Sequence, residues 1–123
     1  MIRATVDTSI LAPSVRRQGH PESRLAPIIQ WWRAGRFELV LSEHILEEVR
    51  RTLAKPYFVR FLTAEDQAVA IESFRLDATV VPISAVVQGV ATQPGDDLVL
   101  ATAVSGQVDY LVTRDRQLLV HLG

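Results

Sequence analysis

Four short runs rich in β-branched and aliphatic residues, "IRATV", "FELVL", "ATVVPI" and "DYLVT", alternate along the chain with longer stretches whose apolar residues recur at helical spacing. Strands that alternate with helices bury their apolar faces most simply as a parallel sheet covered by helices on both sides. The expected fold is therefore α/β, with a central parallel sheet of four strands, or five if a further segment joins it. At 123 residues the chain is read as one domain spanning 1–123, large enough for an ordinary core. Neither repeats nor a linker divide it.

The helical stretches carry their own punctuation. In "SRLAPIIQWWRAG", Leu25, Ile28, Ile29 and Trp32 share a face, and Gly35 stops the run. Ser42 caps a helix with apolar Ile45, Leu46, Val49 and Leu53, and Lys55-Pro56 ends it. Thr63 with Asp66 three residues on is an acidic variant of the capping box. "DDLVLATAVSG" predicts a helix ending at Gly106. "TSILAPSVRR" predicts a helix or turn that Pro13 disturbs after little more than one turn. "QGHPES" reads as a loop, "SAVVQGVATQPG" is ambiguous, and "RDRQLLVHLG" holds at most a short helix.

Composition removes several function classes. With no cysteine, disulfides and thiolate metal sites are excluded. No apolar run approaches the roughly 20 residues of a membrane span. "MIRATVD" meets an acid too early for a secretory signal, so a cytoplasmic location is the expectation. A net charge of −1 gives no global basic field. Twelve of the thirteen basic residues are Arg, Lys55 being the exception, and Arg is the better fork for phosphate. The plain reading of that bias is codon composition. Arg16–Arg17, Arg50–Arg51 and Arg114 with Arg116 stay as candidate phosphate contacts, although isolated surface charges are usually solvated.

Four carboxylates carry the chemical signal: Asp7, Glu48, Asp96 and Asp115. Asp7, Asp96 and Asp115 follow predicted strands, where an α/β sheet opens its ligand crevice. Acids converging there repel one another unless a cation neutralises them, and an all-oxygen site favours Mg²⁺ or Mn²⁺. The pattern therefore points to metal-assisted phosphodiester chemistry. Each acid has a bland reading too. Asp7, Asp96 and Asp115 suit helix caps or Asx-turns. Glu48 lies inside a helix, where capping cannot explain it, and flanks the buried stripe, whereas Glu47 reads as solvated surface. His44 and Glu48 at i and i+4 could together bind a metal, but with no second His nearby the pair reads as mostly coincidence. Asp97 is a second-tier candidate.

Other chemistries lack their motifs. Neither a Gly-rich phosphate loop nor a G-x-S-x-G elbow is present. Ser9 stands where a haloacid-dehalogenase-like phosphatase needs a second Asp. A receiver domain would need a late Lys, and the only Lys is Lys55.

The blocks "VDTSIL", "LVLSEHILEEVRRTL" and "DDLVLATAVSGQVDYLVTRDRQLL" resemble the PIN-domain family, small Mg²⁺- or Mn²⁺-dependent ribonucleases that include VapC-like toxins of bacterial toxin–antitoxin pairs. The resemblance implies a PIN-like three-layer fold, an RNA substrate, a cognate antitoxin and a homodimer. It makes Asp7, Glu48, Asp96 and Asp115 the metal-binding and catalytic acids. Ser9 and Thr113 become the hydroxyls that orient the acids or a metal-bound water. There are departures. Gln93 replaces an acid many relatives carry, and relatives continue past "LL" into a last strand and helix, so the C-terminus is read as truncated. These departures favour the alternative reading, a degenerate domain that binds RNA or protein without cutting, and the four acids favour the enzyme.

Overall fold

The computed structural model describes residues 1–17, 26–84 and 94–113, with backbone alone at 16–17, 26–27 and 94–96. In chain order the elements are β1 (Arg3–Val6), α1 (Thr8–Arg17), α2 (Ala26–Arg33), β2 (Glu38–Leu41), α3 (Glu43–Leu53), α4 (Pro56–Val59), α5 (Ala64–Asp77), β3 (Thr79–Val80), α6 (Pro94–Ser105) and β4 (Tyr110–Val112). The four strands form one parallel sheet in the order β3-β2-β1-β4, flanked by helices, as the alternation of segments predicts. The register sets Ala4 beside Leu39, Val6 beside Val112 and Leu41 beside Val80. The expectations for "QGHPES", for most of "SAVVQGVATQPG" and for "RDRQLLVHLG" fall outside the described residues.

Alternation along β2 feeds both faces of the sheet. Leu39 and Leu41 join the main core with Val6, Ile10, Leu11, Ile45, Val49 and Phe74. Val40 faces the other way, against the end of α6. The two tryptophans divide as one core and one surface residue. Trp32 is buried and stacks on Phe74 at 5.8 Å, whereas Trp31 is half exposed.

Caps act where the sequence places them. Ser42 Oγ accepts the Ile45 amide, and Thr63 and Asp66 exchange both capping-box bonds at 3.0 Å. Gly35 takes φ +76°, the left-handed turn that ends α2 at little steric cost.

Two elements differ from expectation. α1 runs through Pro13 to Arg17 instead of failing after one turn. Proline removes one helical hydrogen bond, but Ile10, Leu11, Ala12 and Ser14 on the same helix are buried, and packing holds what propensity alone would not. The chain also turns helical again at Pro56. Proline suits the first helical position because its missing N–H has no helical partner there, and buried Phe58 anchors the short α4 to the core.

The amino edge of the sheet is cross-linked by polar groups. Arg3 donates twice to the Gly106 carbonyl, at 3.1 and 2.9 Å, and pairs with Glu38 at 2.9 Å. Glu38 also accepts from Thr79 Oγ1, while Asp109 accepts from the Arg3 amide. These bonds tie all four strands together at one end and leave the carboxyl end for other work. Among the described residues no helix is long and apolar enough to cross a membrane.

Candidate active site

The strand order defines where a crevice forms. The chain steps from β1 to β2 to β3 on one side, then returns to lay β4 on the other side of β1. The order of the strands thus reverses at the β1–β4 pair, whose carboxyl ends form a topological switch point, the usual ligand position in open α/β sheets. Asp7 immediately follows β1 and Thr113 immediately follows β4.

Asp7 is built into this point rather than draped over it. Its amide donates to the Val112 carbonyl at 2.9 Å, which extends the β1–β4 pairing by one residue. Its own carbonyl accepts the Ile10 and Leu11 amides and starts α1. The residue is buried, 6 % exposed. Its Oδ1 accepts the Thr8 amide at 2.7 Å, and its Oδ2 accepts the Ser9 hydroxyl at 3.0 Å and the Thr113 hydroxyl at 2.9 Å. An ordinary side-chain N-cap would take the amide of the second or third helical residue. Here two of the three donors are hydroxyls, one of them from another strand. Ser9 and Thr113 thus both donate to the same carboxylate oxygen of Asp7.

Glu48 reaches the same place from α3. Its Oε2 accepts the Thr8 hydroxyl at 3.0 Å, so Thr8 touches both acids, Asp7 through its amide and Glu48 through its side chain. His44 Nε2 lies 2.8 Å from Glu48 Oε1, one turn earlier on α3. The i, i+4 pair is therefore a real contact between the two side chains. Thr8 is the residue sequence reasoning passed over. Its only signal was its position between Asp7 and Ser9, and its contact with Glu48 spans forty residues of chain. Glu47, on the outer face, pairs with Arg50 and Arg51 instead; the Arg50 hydrogen bond is the main reason its carboxyl is pulled down to about 2.

The half-buried Glu48 carboxyl feels opposing influences. Burial pushes it up, while hydrogen bonds from His44 and Thr8 and the charges of His44 and Arg51 pull it down, and its net position is below the ordinary 4.5. A depressed carboxyl contributes stability that is complete above its unfolded value and lost as pH falls through the folded one. Removing the partner in His44→Ala leaves burial as the leading influence. The Glu48 midpoint is then expected to move up, read by carboxyl-carbon NMR titration without metal. An unchanged midpoint would show that His44 does not hold Glu48 in its charged form.

α6 delivers the third segment. Thr102 Oγ1 lies 2.8 Å from Ser42 Oγ, just past the carboxyl end of β2, while Gly106 meets Arg3 at the amino edge. The helix therefore runs from the carboxyl edge toward the amino edge, and its first turn, with Asp96, stands at the crevice end. The Asp96 side chain and all of Asp115 lie outside the described residues; Asp115 is two positions beyond Thr113. Among the described residues no group of three or more His, Asp or Glu side chains is gathered closely enough to hold a metal ion. The donors at the crevice, Asp7 and Glu48, are oxygens, the chemistry a hard divalent cation takes.

The PIN domain family model matches residues 3–117, and the chain belongs to that family. No curated protein matches it. PIN domains are generally nucleases that use divalent metals, which agrees with the class of chemistry the acids point to.

Proposed function

We propose that this protein is an Mg²⁺- or Mn²⁺-dependent endoribonuclease, a single PIN-like domain over 1–123 that acts in the cytoplasm as the toxin of a toxin–antitoxin pair. The observation that carries the reading is the buried Asp7 carboxylate at the β1–β4 switch point, joined through Thr8 to Glu48. Two carboxylates held this close to a single residue favour a cation between or beside them. Asp7 and Glu48 would hold the ion together with Asp96 and Asp115. A bound divalent ion lowers the pKa of a water ligand and screens charge on phosphoryl oxygens.

The protein's own groups supply orientation. Ser9 and Thr113 fix the Asp7 carboxylate in one rotation, and His44 and Thr8 do the same for Glu48. Thr113 also stands where a hydroxyl can orient an attacking water. Arg114 and Arg116 follow it in sequence and would face the phosphate. Groups held in place before the substrate arrives need no reorganisation during reaction. An antitoxin and a second copy of the chain are the protein partners in this reading.

Adding Mg²⁺ or Mn²⁺ is expected to raise the melting temperature, by roughly 10 °C at a hundredfold excess over the dissociation constant. EDTA should reverse that shift and stop cleavage of RNA by the same preparation. A preparation that neither melts higher nor cuts RNA with either metal would leave a non-catalytic PIN domain.

A further inference from the structure

The chain is slightly acidic overall, yet residues 50–64 carry Arg50, Arg51, Lys55 and Arg60 and no acid. Three aromatic residues, Tyr57, Phe58 and Phe61, are interleaved with these cations. Phe58 turns inward, 7 % exposed, and fixes α4 to the core. Its neighbours turn out: Tyr57 is 47 % and Phe61 48 % exposed. One helical turn apart, their rings meet edge to face at 5.7 Å. The Arg60 guanidinium lies beside both, 6.0 Å from the Tyr57 ring and 5.7 Å from the Phe61 ring. Arg50 and Arg51 are engaged by Glu47, but Lys55 and Arg60 have no carboxylate partner among the described residues.

Two exposed rings beside cations that no described carboxylate pairs have a polyanion as their electrostatic complement. Bases of a single strand stack on exposed aromatic faces regardless of sequence, while Lys and Arg follow the backbone. The α4 segment directly follows α3, the helix that carries Glu48. Arg51, one turn from Glu48, contributes its charge to that carboxylate's environment.

We propose that the surface formed by Tyr57, Phe61, Arg60 and Lys55, in and beside α4, is a stacking platform for the single-stranded RNA that the Asp7–Glu48 crevice cuts. The choice of RNA as occupant rests on the nuclease reading. The platform discriminates against duplex, whose bases are already stacked and cannot reach the rings.

Fluorescence anisotropy of the whole chain with a labelled single-stranded RNA oligomer and with its duplex, in EDTA, tests the platform. Tyr57→Ala/Phe61→Ala should weaken single-strand binding about tenfold and leave duplex binding as in wild type. Tyr57→Leu/Phe61→Leu keeps apolar volume without a ring face and should show the same loss, which covers the case in which the alanine variant fails to melt cooperatively. Tyr57→Phe should bind like wild type, and Arg60→Ala should flatten the salt dependence. Wild-type affinity in the leucine variant, or an equal loss on duplex, would overturn the proposal. So would unchanged RNA binding with a shift from dimer to monomer in sedimentation, which would make the face a protein interface. Binding is read without cleavage, so a platform failure appears as unchanged affinity, and a failure of the nuclease reading as absent metal-dependent cutting.

Discussion

Asp7→Asn is expected to reduce RNA cleavage by roughly 10²- to 10⁴-fold while the protein stays folded. The estimate takes the several kcal/mol that metal ions supply to phosphoryl chemistry at about tenfold per 1.4 kcal/mol. Asparagine has nearly the shape of aspartate, and its carbonyl can still accept from Thr8, Ser9 or Thr113, the three donors around the native carboxylate. It cannot match a carboxylate as a ligand for a hard cation. Removing one charge beside Glu48 also relieves repulsion, so stability without metal should hold or rise. The opposite pair of results would assign Asp7 to structure alone. A variant that cuts RNA as well as wild type but loses about 1 kcal/mol of stability would have lost only a cap.

Gly106→Ala is the substitution expected to cost most in stability, about 1–3 kcal/mol, with a fall in melting temperature of roughly 5–15 °C. A Cβ at this position would stand 2.5 Å from Val40 Cγ1 and 3.3 Å from the Thr102 carbonyl oxygen. Val40 is fully buried in the centre of β2, and its branched side chain has few other rotamers to adopt. The end of α6 must back away, and with it the Gly106 carbonyl that Arg3 grips. Chemical denaturation would measure the loss. Wild-type stability would mean that α6 can slide over the sheet without penalty. In that case the close approach of Gly106 does not set the position of the helix.

These two sites illustrate what could be read from the chain in advance. Elements whose signals are local were legible. Ser42 and the Thr63–Asp66 pair cap the helices they precede, Gly35 ends α2, and the strands occupy the β-branched runs. Glu48 could be told from Glu47 because a helix has an inside. Val49 and Ile45 point to the core, Glu48 flanks them, and Glu47 meets solvent and two arginines.

Features set by distant segments were not legible. Proline has a local rule, yet α1 continues through Pro13 because residues from other elements cover it. Thr8 gains its role from a helix forty residues away, and no local pattern marks that contact. Helical spacing brings His44 onto Glu48, although with no second His nearby the pair read as mostly coincidence rather than as a metal-binding pair. The α4 helix was hidden by reading Pro56 only as a stop, although proline starts helices as readily as it ends them.

In the proposed nuclease, acids from separate segments share one divalent ion at the β1–β4 switch point. Anomalous diffraction from crystals grown with Mn²⁺ tests it most directly. A manganese peak is expected within coordination distance, about 2.0–2.2 Å, of an Asp7 carboxylate oxygen. Asp96 and Asp115 should lie in the same shell or one water away, and Glu48 should face the same space. No peak at saturating Mn²⁺, or Asp96 and Asp115 turned to the opposite face of the sheet from Asp7, would contradict it.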